Sequence, residues 1–235
     1  MHLDRFLIKQ AHYSRKSVLQ FLSQQQIKVD GVLATRRDIS VNKFSHIEIS
    51  GQTVKAFSAA KYFMLYKPAG ILSATTDTIH TTALELLTDI DTADLHIAGR
   101  LDRATTGLLI LTNDGQWSRK LTELKTREQQ QIPKVYLVET ADSISAETAQ
   151  RFAEGIYFAY EDTTTSPAQI EVISDKLSRL TIYEGRYHQV KRMFAAVGNR
   201  VVNLHRERVG EIVLDPQLTS GQFRALTPKE VNWVY

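Results

Sequence analysis

Hydrophobic and polar positions near the start of the chain predict one helix followed by short strands. The helix is predicted over residues 15–24, because apolar residues recur there at helical spacing and Ser14 is a suitable N-cap. Strand-like segments lie on both sides of the Asp-Gly pair at 30–31, a dipeptide typical of hairpin turns. Ile47 and Ile49 alternate with a polar residue and predict one more strand. These elements indicate a small independent module.

Residues 50–60 contain Ser, Gly, Thr and Ala and predict a linker, after which strands and helices alternate. Strands are predicted at residues 62–66, 95–98, 107–112, 135–140, 170–173 and 179–183, and helices at 82–87 and 145–154. Asp114, which precedes a glycine, predicts only a turn, and residues 126–132 predict a polar loop. We place the first domain at residues 1–55, the linker at 56–60 and the second domain at 61–235.

The segment over residues 184–210 combines an amphipathic helix with many basic residues. The apolar stripe of this helix consists of Val190, Met193, Phe194 and Val197, and Gly198 ends it. On the helical wheel Arg192 points away from the buried face, whereas Lys191 lies at its border. Arg192 is therefore a candidate phosphate contact, and Lys191 can reach inward to a carboxylate. A solvated position is the alternative for both cations.

Charge is distributed unevenly along the chain, whose formal net charge is only +3. Residues 1–55 and residues 179–208 each carry an excess of five positive charges. Two basic segments on a nearly neutral chain favour contact with a polyanion such as RNA or DNA. Arg15 and Lys16 lie in the first helical turn, where the helix dipole disfavours cations, and a bound phosphate would offset that cost. Simple tolerance of two exposed cations is the alternative.

Several kinds of chemistry lack their sequence signals. The chain has no cysteine, which excludes disulfides and thiolate chemistry. It has no glycine-rich phosphate loop, no zinc-protease histidine pair and no G-x-S-x-G motif. No apolar run approaches the roughly 18 residues of a membrane span. We therefore expect a protein of the cytoplasm that has no membrane anchor and no metal.

The segment GRLDRATTGLLILTNDG, residues 99–115, has a charged turn directly before an apolar strand. Asp102 lies there between Arg100 and Arg103, either in a solvated turn or as a catalytic carboxylate whose arginines receive an anionic substrate. Tyr136 begins another strand and is either a core residue or a stacking platform. An enzyme that modifies an RNA base needs phosphate anchors, an aromatic ring for the extruded base and a nearby carboxylate. These candidates together fit that need.

Four segments follow the motifs of a known protein family in the same order along the chain. They are KPAG (67–70), residues 99–115, KVYLV (134–138) and EGRYHQVKRMFAAVGNRV (184–201). They resemble the bacterial ribosomal pseudouridine synthases, and LHRERVG (204–210) favours the small-subunit branch. Residues 1–55 resemble the αL-type RNA-binding domain shared with a small-subunit ribosomal protein, through LDRFL, SRKSV and KVDG. The glycine usual before the hairpin of that domain is replaced by Gln25 and Gln26.

The resemblance implies an α+β fold and a reaction. A small N-terminal RNA-binding domain would precede a catalytic domain with a mixed, mostly antiparallel sheet and flanking helices. The implied reaction converts one specific uridine of 16S rRNA to pseudouridine by C1′–N1 cleavage, rotation of the base and formation of a C5–C1′ bond. No metal and no organic cofactor are implied. The expected partner is 16S rRNA, free or within a partly assembled small ribosomal subunit, and a monomer without membrane contact is expected.

The family motifs also imply site residues. Asp102 matches the catalytic aspartate, Tyr136 the tyrosine that stacks on the target base, Lys191 the basic partner of the aspartate, and Leu204 the apolar residue beneath the base. The other residues expected to bind the substrate are Arg100, Arg103, Thr106, Arg186, His188, Gln189 and Arg192. In the N-terminal domain, the residues expected to bind RNA are Arg5, Ser14, Arg15, Lys16 and Lys28.

Three other hypotheses stay open at this point. The chain is an RNA-binding protein without catalysis, or it modifies large-subunit rRNA within the same enzyme family. The third hypothesis is a glycoside hydrolase built on Asp102 and Glu184, which requires carboxyl groups ~5–9 Å apart. A glycoside hydrolase would leave the two basic segments unexplained.

Overall fold

The computed structural model describes residues 1–122 and 132–234. The chain divides into two compact units, Met1–Ala60 and Lys61–Tyr235. Most of the polar loop predicted at 126–132 lies outside the described residues. The linker predicted over 50–60 is partly wrong, because residues 52–55 form a strand paired with the strand at 47–49. The first unit therefore includes these residues as part of its sheet.

The first unit packs two helices against a four-stranded antiparallel sheet. Its elements are α1 (Leu3–Lys9), α2 (Arg15–Ser23), β1 (Ile27–Val29), β2 (Val32–Leu33), β3 (Ile47–Ile49) and β4 (Gln52–Lys55). The strand order is β2-β1-β3-β4. The sequence pattern missed α1, although Leu3, Phe6 and Leu7 lie at helical spacing and are buried in the core of this unit.

Helix α2 ends in a turn that usually contains glycine. The amide of Gln26 donates to the carbonyl of Phe21 at 2.9 Å, and the amide of Gln25 donates to that of Leu22 at 3.1 Å. This pair of bonds is a Schellman motif, whose central residue adopts a left-handed backbone conformation. The φ angle of Gln25 is 55°, which lies in the left-handed region. Glutamine therefore occupies a position that favours glycine.

The second unit is built on a large mixed sheet. Its strands are β5 (Tyr62–Lys67), β6 (His96–Ile97), β7 (Thr106–Thr112), β8 (Lys134–Thr140), β9 (Tyr157–Phe158), β10 (Thr163–Thr164), β11 (Gln169–Ser174), β12 (Leu177–Ile182), β13 (Val201–Val209), β14 (Ile212–Val213) and β15 (Phe223–Ala225). Its α-helices are α3 (Gly115–Thr122), α4 (Thr148–Glu154), α5 (Gln189–Ala196) and α6 (Pro228–Asn232).

The order of the main sheet is β11-β12-β8-β13-β7-β5-β15, with β14 beside β13 and β6 beside β7. The pair β13–β7 is parallel and the other pairs of this sheet, within the described residues, are antiparallel. The predicted α+β fold with a mixed, mostly antiparallel sheet is thus confirmed. The backbones of β7 and β13 approach closely at Gly107, where a Cβ atom would overlap the carbonyl of Arg206.

Three local predictions for this unit are corrected. The helix predicted over 82–87 is only a short 3₁₀ turn at Leu84–Leu86. Asp114 does more than form a turn, because its carboxylate accepts the amide hydrogens of Gln116 and Trp117 and caps α3. Strand β13 was missed, because residues 205–208 are four consecutive polar or charged residues that interrupt the apolar alternation of a strand.

Two apolar clusters lie on the alternating residues of the central strands. Leu109 and Leu111 of β7 belong to a cluster that includes Tyr136, Phe194 and Leu204. The intervening β7 residues belong to a second cluster around Trp117, which is fully buried. Side chains alternate between the two faces of a strand, so this division separates the two faces of the sheet. No helix in the described part of the chain is long and apolar enough to cross a membrane.

Candidate active site

A cavity of about 220 Å³ lies between the turn before β7, the starts of β8 and α5, and strand β13. The predicted site residues that line it are Arg100, Asp102, Tyr136, Arg186, His188, Gln189, Lys191 and Leu204. Arg103, Thr106 and Arg192 do not line this cavity. Residues from four separate segments of the chain therefore meet at one place.

Asp102 lies at the wall of the cavity beside two basic groups. Its Oδ2 atom is 3.0 Å from Nζ of Lys191, and its Oδ1 atom is 3.4 Å from Nε2 of His188. The helical wheel predicts this position of Lys191, at the border of the buried stripe of α5. The Asp102 side chain is 27% exposed and the Lys191 side chain 34% exposed, so water partly screens the ion pair.

The turn that carries Asp102 is held from below by Lys67. The side chain of Lys67 is fully buried, and its ammonium donates to the carbonyls of Pro68 at 2.8 Å, Arg103 at 3.2 Å and Thr105 at 2.8 Å. Burial lowers the pKa of Lys67 to about 8, although the charge of Asp102 acts in the opposite direction. Lys67, the first residue of KPAG, therefore fixes the backbone on both sides of the turn.

Tyr136 and Leu204 form the apolar part of the cavity wall. They lie on the neighbouring strands β8 and β13, and their side chains are only 7% and 9% exposed. Both also belong to the apolar cluster on this face of the sheet. Close packing on the core side leaves the cavity side as the place where each can contact a ligand. A flat apolar surface of this kind suits a nucleobase.

Arg192 is paired with an acidic residue that the sequence did not reveal. Its Nη1 atom is 2.6 Å from Oε1 of Glu161, and its guanidinium lies 3.6 Å from the centre of the Phe158 ring. Glu161 also accepts from Arg186 at 3.1 Å. The prediction that Arg192 faces outward as a free phosphate contact therefore needs correction, because the loop between β9 and β10 covers it. Contact with a phosphate would require Glu161 to release it.

Glu184 is a buried structural residue. It accepts hydrogen bonds from Nε of Arg186 at 3.0 Å, the side-chain amide of Gln189 at 2.9 Å and the backbone amide of Ser166 at 3.0 Å. Its side chain is only 3% exposed, and it does not line the cavity that contains Asp102. The glycoside hydrolase hypothesis needs Glu184 as a second reacting carboxylate. These contacts give it a different task, which is to hold the turn before α5.

Arg103 and Thr106 lie beside the cavity in other surroundings. Arg103 donates to the carbonyl of Gly70 at 3.1 Å and lies in an adjoining groove that Asp102 also lines. The hydroxyl of Thr106 is 2.8 Å from Nδ1 of His205 across the parallel pair of strands. Arg103 is exposed and available to a substrate, whereas Thr106 serves the pairing of β7 with β13.

Four further polar residues line the cavity and were missed from the sequence: Thr105, Thr122, Lys134 and Arg206. A signal for two of them was present. Lys134 is two residues before Tyr136, and Arg206 is two residues after Leu204. Because residues at this spacing share one face of a strand, the two predicted ligand contacts place these cations on the cavity face. The alternation of side chains along β8 and β13 therefore predicts that Lys134 and Arg206 face the cavity.

The residues predicted to bind RNA in the first unit are all on its surface. Arg5, Ser14, Arg15, Lys16 and Lys28 are exposed, and none forms an ion pair with a described residue. Ser14 caps α2, since its hydroxyl accepts the amide hydrogen of Ser17 at 3.0 Å. Within residues 1–122 and 132–234, no group of three or more His, Cys, Asp or Glu side chains is placed to hold a metal ion.

Known proteins resemble this chain over nearly its whole length. A family model described as RNA pseudouridylate synthase matches residues 61–196. The Pseudomonas aeruginosa protein named ribosomal small subunit pseudouridine synthase A is 46% identical over 231 residues, which cover 98% of this chain and 99% of that protein. A protein of the same name from Vibrio cholerae is 44% identical and covers all of both chains.

A solved structure, described as a crystal structure of pseudouridylate synthase, also matches. It covers 100% of both chains with a TM-score of 0.71 and 36% sequence identity. The family match includes the turn with Asp102, the strand with Tyr136 and the helix with Lys191. The chain therefore belongs to the RNA pseudouridylate synthase family, and it is an isomerase.

Proposed function

We propose that the protein converts the uridine at position 516 of 16S rRNA to pseudouridine. The observation that carries the proposal is the ion pair of Asp102 with Lys191 beside Tyr136 in one cavity. The names of relatives that match nearly the whole chain support the small ribosomal subunit as the source of the RNA. Membership of an enzyme family counts against the RNA-binding protein without catalysis.

The cavity residues suit a nucleotide that has been turned out of its RNA helix. Tyr136 stacks on the uracil ring, and Leu204 packs beneath it. Arg100, which is exposed at the cavity, and Arg103 bind the flanking phosphates. Gln189 and Arg186 act through Glu184 and keep the start of α5 in place, so that His188 and Lys191 reach Asp102.

Asp102 performs the central chemical role as a carboxylate held by Lys191. The C1′–N1 bond breaks, the uracil rotates within the cavity, and its C5 atom bonds to C1′. The carboxylate acts at the sugar, at the ring or on the 2′ proton, and each of these routes needs the ionised form. The overall change is an isomerisation, so neither a redox partner nor a cofactor is part of the proposal.

The first unit is proposed to bind the RNA outside the cavity. Its exposed cations Arg5, Arg15, Lys16 and Lys28 suit contacts with phosphates, and the N-terminus of α2 adds free amide groups. We also propose that the protein acts as a monomer in the cytoplasm, on free 16S rRNA or on a partly assembled small subunit.

The test is to offer the purified protein separate transcripts of small-subunit and large-subunit rRNA, each tritiated at C5 of uridine. Tritium release reports the reaction, because C5 loses its hydrogen when pseudouridine forms. Mapping of the product by carbodiimide-dependent primer extension then gives the position. We expect one modified uridine, at 516 of 16S rRNA. Modification of the large-subunit transcript, or at another position, would contradict the proposed substrate.

A further inference from the structure

Three cations line the active-site cavity without a carboxylate partner among the described residues: Arg100, which is exposed, Lys134, which is half-buried, and Arg206, which is buried. Lys134 begins β8, and its ammonium donates to the carbonyl of Ile132 at 3.4 Å. Arg206 lies on the neighbouring strand β13, is only 2% exposed, and donates to the carbonyls of Leu108 at 2.8 Å and Gly99 at 3.2 Å. Neither Lys134 nor Arg206 forms an ion pair with any residue in the described parts of the chain. Their positive charges are therefore not neutralised within these parts of the protein.

Buried charge without a counter-charge is costly in a folded protein. The cost is visible at Lys134, whose pKa is lowered to about 8 by burial and then by the charge of Arg206, with Glu184 acting in the opposite direction. A third group on the cavity wall is also unsatisfied. The hydroxyl of Thr105 is buried and has no hydrogen-bond partner among the described residues. Among the described residues, the cavity thus holds positive charge without a counter-charge and one polar atom without a hydrogen-bond partner.

The chemistry of the reaction supplies a transient negative charge in the same cavity. When the C1′–N1 bond breaks, its electron pair stays with uracil, and the charge spreads from N1 onto the two carbonyl oxygens, while C1′ is left electron-deficient until C5 bonds to it. When C5 bonds to C1′, the ring becomes neutral. Loss of the proton from C5 and gain of a proton at N1 then complete pseudouridine. Atoms and charge balance without a co-reactant, and the anion exists only between the two bond changes.

We infer that Lys134 and Arg206 stabilise the uracil anion formed during the isomerisation, and that Lys134 is a further catalytic residue of this cavity. The inference rests on the proposed function, in which the target uridine occupies the cavity beside Asp102. A cation that has no acidic partner among the described residues gains one as negative charge develops on the substrate, which is how a preorganised site lowers an activation barrier. Asp102 and Lys191 already form an ion pair with each other.

The inference predicts a pH dependence with a defined sign. Lys134 must be protonated to act, so kcat/KM should fall as the pH rises through about 8. The charged groups that surround it are Arg206 on β13, Glu184 after β12, Arg186 and Arg100 at the cavity wall, and Asp102 with Lys191 and His188. Lys67 also has a pKa lowered to about 8, so the wild-type profile alone does not identify the group.

Two substitutions of Lys134 identify the group that titrates near pH 8. Lys134→Met removes the charge at similar length, and Lys134→Arg keeps a charge that does not titrate. For Lys134→Met we expect the single-turnover rate at saturating RNA to fall roughly 100-fold, with RNA affinity little changed. For Lys134→Arg we expect the decline above pH 8 to disappear. Lys176→Met is the matched control, because Lys176 is exposed and donates only to a backbone carbonyl among the described residues, and it should behave as wild type.

The outcomes separate this inference from the proposed function. A rate for Lys134→Met within about threefold of wild type overturns the inference. So does an alkaline decline that persists in either variant, since the titration would then belong to Lys67 or another group. If Lys134→Met does not fold, as judged by circular dichroism, the profile of Lys134→Arg decides. Full activity of Asp102→Asn would instead overturn the proposed site itself.

Discussion

The basic residues of the first unit and those of the active-site cavity are held in opposite ways. Arg5, Arg15 and Lys16 are exposed and unpaired among the described residues, so water and salt screen their charges. Lys191 is paired with a carboxylate at the cavity wall, and Arg206 is almost fully buried. Charges of the first kind attract a polyanion over a distance, whereas charges of the second kind act on the atoms they touch. Two segments with a similar net charge therefore have different tasks, because their cations differ in burial and pairing.

The largest expected effect comes from removing the carboxylate of the cavity. Asp102→Asn keeps the size of the side chain but removes its charge, so we expect turnover to fall by about 1,000-fold or more while RNA binding persists. Asp89→Asn is the matched control, because Asp89 is exposed and asparagine tolerates its left-handed backbone. Tritium release measures both. Turnover of Asp102→Asn within about tenfold of wild type would remove Asp102 from the mechanism.

Lys191 and Arg192 are neighbours in sequence, but only Lys191 lines the cavity, so we expect their substitutions to have different effects. Lys191→Met should reduce the single-turnover rate by roughly 100-fold or more, because Asp102 loses the cation that holds its carboxylate in place. Arg192→Met should leave this rate largely intact, since Arg192 contacts Glu161 and Phe158 outside the cavity. Rates at saturating RNA and separate binding constants distinguish the two. Equal loss of binding with unchanged turnover in both would make Lys191 a phosphate contact only.

In contrast to Lys191, the exposed cations of the first unit should affect RNA binding and not the rate of the reaction. Arg15→Gln with Lys16→Gln should weaken RNA binding, and the slope of log K against log salt should fall by about one unit for each phosphate that is no longer neutralised, up to two. The single-turnover rate at saturating RNA should not change, because neither residue lines the cavity. Binding titrations between low and moderate salt measure the slope. An unchanged slope would show that the start of α2 does not contact the RNA backbone.

The smallest expected effect concerns the turn after α2. Gln25→Gly should stabilise the first unit by about 0.5–1 kcal/mol, because glycine adopts the left-handed conformation without the strain of a side chain. Turnover should stay at the wild-type value, since the change adds no charge and touches no cavity residue. Urea unfolding of the two proteins measures the difference. A decrease in stability would mean that the glutamine side chain makes a favourable contact in this turn.

Much of the fold could be predicted where one pattern dominates a segment. The apolar runs of β7 and β8 and the stripes of α2 and α5 appear in the structure near their predicted bounds. Helix α3 was hidden, because an Asp-Gly pair signals a turn as well as the start of a helix. Strand β13 was hidden, because charged residues occupy positions that face the cavity.

The active site was predictable to the extent that neighbours in sequence are neighbours in space. Helical periodicity placed Lys191 at the border of the buried face, the family motifs implied Asp102 as its partner, and the ion pair is present. The pairing of Arg192 with Glu161 joins residues 31 positions apart through a loop, and no local pattern indicates it. The three carbonyls around the ammonium of Lys67 likewise depend on how the chain folds back. Contacts of this kind follow from the tertiary structure and not from periodicity.

The central claim is that Asp102 and Lys191 act as one unit, and a double-mutant cycle tests it most directly. Single-turnover rates at saturating RNA are measured for wild type, Asp102→Asn, Lys191→Met and the double variant. If the lysine acts through the carboxylate, the double variant should be no slower than Asp102→Asn, within about threefold. If the two rate reductions multiply instead, Lys191 acts independently of Asp102, and the ion pair is not the catalytic unit.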